Sequence, residues 1–178
     1  GATKEVIELA ERLQAPVVHS LKGKAVLNQD NPYWAGGLGL LGTTGGVEAV
    51  NGCDVLVLLG TDYPYRQFLP DHAKIIQIDI APERIGRRCD VAIGAVGHIR
   101  PTLEALLPLV DKKTDSMHLE KVQKKKEAYE KKMIKKGDVT GRKSPIRPQA
   151  VARAICRHAT DSAIFIADTG EPPVWMAR

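Results

Sequence analysis

With 178 residues, 43% of them hydrophobic and only 4% aromatic, the chain has material for one core built from Leu, Ile, Val and Ala. It has no apolar run of the ~18 residues a membrane helix needs and no secretory or transit signal. Its three cysteines, Cys53, Cys89 and Cys156, match neither a metal spacing nor a disulfide framework, which fits a reducing cytoplasm. The net charge of +5 is local: residues 111–143 hold 12 of the 26 Lys and Arg but 6 of the 21 acids, so nucleic-acid binding is not expected.

In chain order, Thr3 is placed to cap a first helix carrying Val6, Ala10 and Leu13 on one face. Residues 16–19 read as a short buried strand. Asn31-Pro32-Tyr33-Trp34 reads as a loop, and glycine-rich sequence then leads into a helix over residues 43–51. Residues 54–60 are apolar on both faces, as a central parallel strand must be when helices cover both sides. Residues 74–80 and 91–96 form further strands. Ile99, Leu103, Leu106, Leu107 and Val110 then repeat at helical spacing, with Pro101 in a first turn that tolerates it.

Residues 115–136 predict a long charged helix, docked by a thin stripe of Leu119, Val122, Tyr129 and Met133 with its lysines solvated. Residues 137–147, with Gly137, Gly141 and Pro145 among polar residues, read as a linker. A helix from Pro148 through Ile155, a strand over 163–168 and a turn at Gly170, Pro172 and Pro173 begin a second unit. The alternation gives an α/β fold of three layers, α/β/α, with a parallel, doubly wound, Rossmann-like sheet. Ligands on such sheets bind beyond the carboxyl ends of the strands.

Three segments are candidates, two of them at such strand ends. Residues 37–42 match G-x-G-x-x-G, a weak signal without a strand directly before it, though glycines let a ligand approach the backbone. In the loop Thr61, Asp62, Tyr63, Pro64, Tyr65 and Arg66, a hydroxyl, flat rings and a guanidinium suit a nucleotide. Asp79 closes the next strand, where a carboxylate grips ribose hydroxyls or else caps the following turn. None of the five histidines has metal-ligand spacing, and no nucleophile–base set stands out. The residues alone reach a nucleotide-binding α/β domain.

Residues 15–24, 31–33 and 38–42 resemble the middle domain of thiamine-diphosphate enzymes. Residues 57–66 and 75–80 are similar to the branch of pyruvate oxidase and quinone-linked pyruvate dehydrogenase, and Asp168-Thr169-Gly170 with Val174-Trp175 resembles the opening of the family's C-terminal domain. The resemblance implies a DHS-like NAD/FAD-binding fold whose first strand is missing from this chain. It divides the chain into a central FAD-binding domain (1–136), a linker (137–147) and the start of the thiamine-diphosphate-binding domain (148–178). Leu38, Gly39, Leu40 and Leu41 would line the flavin, Thr61 to Tyr65 would contact the ribityl and phosphate region with Arg66 beside it, and Asp79 would bind the ribose.

The same resemblance implies a homotetramer that oxidatively decarboxylates pyruvate, passing electrons through FAD to a quinone or oxygen. It would work in the cytoplasm, free or membrane-associated. Thiamine diphosphate and Mg2+ would bind outside this stretch, since Gly137-Asp138-Val139 does not supply the family's Gly-Asp-Gly metal motif, and the chain would not be catalytic by itself. Two other readings stand beside this one: the central domain of an acetolactate-synthase-type carboligase or decarboxylase, and a structural, subunit-bridging domain that binds no cofactor.

Overall fold

The computed structural model describes residues 1–140, 144–160, 162–168 and 170–176. It forms two compact units, Gly1–Lys126 and Glu127–Arg178.

In the first unit, helix α1 (Thr3–Leu13) buries Val6, Leu9 and Ala10, the three- and four-residue spacing of one helical face. Its N-cap is Ala2, and no side chain caps it. Thr3, expected as the cap, is already the first helical residue, so its hydroxyl is past the point where it could serve the free N–H groups. The helix ends at Gln14 in the left-handed region (φ 48°). Strand β1 (Val17–His19) pairs in parallel with β2 (Trp34–Gly37). Helix α2 (Thr44–Asn51) is capped by Thr43, whose hydroxyl oxygen accepts from the Gly46 N–H. That hydroxyl in turn donates to the Ala35 carbonyl at 3.1 Å.

Strands β3 (Val55–Leu59), β4 (Lys74–Asp79) and β5 (Ile93–Val96) form a second parallel sheet in the order β3-β4-β5. Helix α3 (Ile99–Leu106) follows. Its Leu103 and Leu107, just beyond it, join Val6 and Leu9 in an apolar cluster against which Val17 of β1 and Leu59 of β3 also pack. Parallel sheets with flanking helices are the expected α/β/α architecture. The expectation for β3 is corrected: it lies at an edge rather than at the centre, and Val55 is 43% exposed. Among the described residues β1 pairs only with β2 and β3 only with β4, so each of these strands has one edge without a strand partner. A strand apolar on both faces is half-covered here because no neighbour flanks its other side.

The first half of helix α4 (Met117–Lys136) docks on this unit by one edge. Val122, fully buried, packs with Ala35 and Ala49. Lys121 pairs with Glu48 at 2.5 Å, and the Lys126 ammonium lies 5.1 Å from the centre of the Trp34 ring.

In the second unit, helix α5 (Pro148–His158) buries Ala150, and its Arg153 donates to the Ile134 carbonyl at 3.0 Å. The strand expected over residues 163–168 does not form: Ile164 and Ile166 are 86% and 91% exposed. A lone extended segment has no ladder to join, so β-branched sequence alone does not make a strand. Where a turn was expected, α6 (Glu171–Met176) forms, with Pro172 and Pro173 in a first turn that needs no N–H donors. Thr169 and residues 141–143 of the expected linker lie outside the described residues.

Candidate functional site

The candidate segments follow β2, β3 and the end of β4; the glycine loop meets the Thr61–Arg66 loop, and Thr61 is tied to β4 through Gln77. The glycine pattern does follow a strand: β2 occupies residues read as loop and glycine turn, because pairing with β1 overrides the low strand propensity of Trp-Ala-Gly-Gly. Leu38 donates its N–H to the His19 carbonyl, and Gly42 donates to Gly39. Gly39 sits at φ +103°, and a side chain there would collide with the Tyr63 hydroxyl. The glycine loop and the Thr61–Arg66 loop therefore meet at Gly39 and Tyr63. Leu40, at the loop's tip, is 71% exposed.

The second loop leaves β3 through Gly60 (φ +64°), whose N–H donates to the Ile78 carbonyl of β4. The Tyr63 ring is buried and edge-on to Tyr65 at 5.6 Å, while Tyr65 is half exposed. Burial pushes the Tyr63 phenol up to about 12, so it stays a neutral donor. Its hydroxyl is enclosed and has no hydrogen-bond partner. Asp62 pairs with Arg87 at 3.3 Å and lies 3.9 Å from Arg88. Tyr65 and Pro64 are exposed or nearly so on the outer turn, and Arg66 opens a short helical turn, Arg66–Phe68.

Asp79 ends β4 and is 1% exposed. One carboxylate oxygen accepts from the Ala81 N–H at 2.9 Å, with the Arg84 guanidinium 4.0 Å away. The other oxygen is enclosed and has no partner. The carboxylate thus caps the turn after β4 with one oxygen and holds the second in reserve. A buried carboxylate oxygen and a buried hydroxyl without partners are costly, and a polar ligand would satisfy them. The donor set suits the hydroxyls and oxygens of a nucleotide, so the residues present fit such a cofactor.

Sequence reasoning passed over Gln77. It is 2% exposed, in the middle of apolar β4. Its amide nitrogen donates to the carbonyls of Thr61 and Arg84, each at 3.1 Å, and its amide oxygen accepts from the Gly86 N–H at 2.9 Å. Gln77 therefore fastens the Thr61 loop to the turn that carries Arg84, Arg87 and Arg88. A lone polar residue in Ile75-Ile76-Gln77-Ile78 was the available signal.

No group of His, Cys, Asp and Glu among the described residues could hold a metal ion. Burial raises the thiols of Cys53 and Cys89, and Arg66's charge opposes the rise at Cys89. No described helix is long and apolar enough to cross a membrane.

Comparison with known proteins gives these geometries a family. The chain is 35% identical over 177 residues, 99% of its own length, to a putative thiamine pyrophosphate-containing protein, YdaP, of Bacillus subtilis (strain 168), and covers 30% of that protein. It is 32% identical over 194 residues to a probable acetolactate synthase large subunit of Methanocaldococcus jannaschii, covering 32% of it. Over 120 residues it is 47% identical to an uncharacterized 42.6 kDa protein of Pseudomonas amyloderamosa. The chain thus spans about a third of the curated relatives it matches. Residues 1–106 match the family described as thiamine pyrophosphate enzyme, central domain, and the chain belongs to that family.

Proposed function

We propose that this chain is the nucleotide-holding central domain of a larger thiamine-diphosphate enzyme that decarboxylates a 2-oxo acid of the pyruvate class. What supports the reading is the contact of the Gly39 loop with Tyr63, the tie of Thr61 to β4 through Gln77, and the enclosed polar atoms of Tyr63 and Asp79 without partners. In this reading the reserve oxygen of Asp79 accepts from a ribose hydroxyl. Gly39 and Gly60 let the nucleotide approach the backbone, and Tyr65 and Arg66 border it. FAD is the nucleotide the resemblance implies; when bound it supplies a two-electron acceptor or a structural brace. The reaction itself belongs to thiamine diphosphate and Mg2+, held by other parts of the full-length enzyme.

Two chemistries share this platform. Likeness to acetolactate synthase subunits along the whole chain supports joining the decarboxylated two-carbon unit to a second 2-oxo acid. The Thr61–Arg66 loop supports the other, in which that unit is oxidised and electrons leave to a quinone or oxygen. The test is a titration of the full-length enzyme with FAD and with ADP, alongside Asp79→Ala. Losing a charged acceptor worth about 1.5–3 kcal/mol should weaken binding roughly tenfold or more. Unchanged affinity would reduce Asp79 to a cap. Anaerobic bleaching of bound flavin by pyruvate would favour oxidation, and acetolactate formation without bleaching would favour carboligation.

A further inference from the structure

The enclosed polar atoms of Tyr63 and Asp79 stand on stretches that share one buried anchor. The Tyr63 hydroxyl belongs to the loop after β3. The Asp79 carboxylate is braced by the turn after β4, through the Ala81 N–H at 2.9 Å. The loop leaves the sheet at Gly60, whose N–H makes a last backbone bond to the Ile78 carbonyl. The next carbonyl, that of Thr61, lies beyond the ladder and accepts instead from the Gln77 side-chain amide at 3.1 Å. The same amide donates to the Arg84 carbonyl at 3.1 Å, and its oxygen accepts from the Gly86 N–H at 2.9 Å.

Two donated bonds use both N–H groups of a primary amide. Gln77 therefore has no donor left for a ligand, and at 2% exposed it lies too deep to touch one. Nor can the amide turn over, since its oxygen would then face two carbonyls and its nitrogen the Gly86 N–H. The other side-chain ties between the two stretches among the described residues, Arg87 and Arg88 to Asp62, join partly exposed groups at 3.3 and 3.9 Å, and such pairs contribute little. Hydrogen bonds in a low-dielectric interior fix geometry more firmly. The spacing of the loop and the turn is thus set from beneath, by a side chain of β4.

We propose that Gln77 is a positioning residue for the rim: it meets no nucleotide, yet by fixing the Thr61 loop against the turn after β4 it sets how tightly a nucleotide is held. A ligand meeting a preset rim does not spend binding energy on ordering both stretches. The inference rests on the nucleotide reading of the rim. Full-length wild type, Gln77→Met and Gln77→Glu are titrated with FAD and with 5′-ADP, well below their melting temperatures and with folding checked by circular dichroism. Gln77→Met should bind both at least about tenfold more weakly. Gln77→Glu gives a readout that a purely structural role does not move. Its neutral carboxyl keeps the acceptor for Gly86 and one donor, whereas the ionised form sets a charge against the Thr61 and Arg84 carbonyls. Burial favours the neutral form. Its affinity should therefore lie within about threefold of wild type near pH 5.5 and fall roughly tenfold further behind toward pH 8.5. Asp62, Asp79, Arg84, Arg87 and Arg88, the charged groups paired on the two stretches, are common to both proteins and cancel in that ratio. If folded Gln77→Met binds within about twofold of wild type, or if the Gln77→Glu ratio is flat with pH, the positioning role is refuted while the rim stands. Should Gln77→Met not fold, the Gln77→Glu profile alone decides. If wild type binds neither FAD nor 5′-ADP, the nucleotide reading itself fails.

Discussion

Replacing Gln77 with methionine keeps the length of the side chain and removes all of its hydrogen bonds. Three are lost: two donated to the carbonyls of Thr61 and Arg84, one accepted from the Gly86 N–H. At roughly 1 kcal/mol each, the loss is about 3 kcal/mol. The more apolar side chain returns about 1 kcal/mol through burial, leaving a net destabilisation of roughly 2 kcal/mol. Urea unfolding of wild type and variant reads this as a midpoint lower by about 1 M. The loss should also be local. Trypsin should cut after Arg84, Arg87 and Arg88 faster in the folded variant, because the turn carrying them is no longer tied to β4 and the Thr61 loop. A midpoint within about 0.2 M of wild type, with unchanged cleavage at those arginines, would refute the idea that Gln77 holds the two loops together.

Gly39→Ala should cost about 1–3 kcal/mol, since it adds both positive-φ strain and a clash with the Tyr63 hydroxyl. Combining it with Tyr63→Phe should recover the clash but not the strain, and thermal unfolding that shows purely additive costs would mean the two loops do not touch. His19 offers a pH signature. Its Nδ1 donates to the Ser20 carbonyl at 2.9 Å, its Nε2 is enclosed without a partner, and it stacks on Trp34. Burial foremost, with Lys24 adding, lowers its pKa below the ordinary 6.5. Folding therefore favours the neutral ring. The stabilisation is complete above the unfolded value and is lost as pH falls from about 6.5 through the depressed folded value. Melting temperature should drop over that window, and His19→Gln should flatten the drop; an unaltered profile would assign the titration elsewhere.

Periodicity carried much of the fold. The stretch at 55–59 and the one at 74–79 are read as strands because they are short runs dominated by Val, Leu and Ile, and α4 because its stripe is thin but regular. The misses share a cause. Trp34–Gly37 becomes a strand only through its partner seventeen residues earlier, and residues 163–168 fail to become one because no partner is there. Pairing across sequence distance leaves little mark on the local pattern. At the candidate site, strand ends pointed to Thr61 and Asp79, and the glycine pattern to Gly39. The roles of Gln77 and the arginine turn emerged only when Gly86 and Thr61 were seen on either side of one amide, a relation that spacing along the chain does not encode.

The edges of β1 and β3 that have no strand partner among the described residues have a practical consequence at the bench. Their free amide and carbonyl rows can recruit any extended polypeptide, including another copy of this chain. A polypeptide of residues 1–178 should therefore oligomerise in a concentration-dependent way. Light scattering that rises with concentration would be the sign of it, and scattering that stays flat across concentration would refute it.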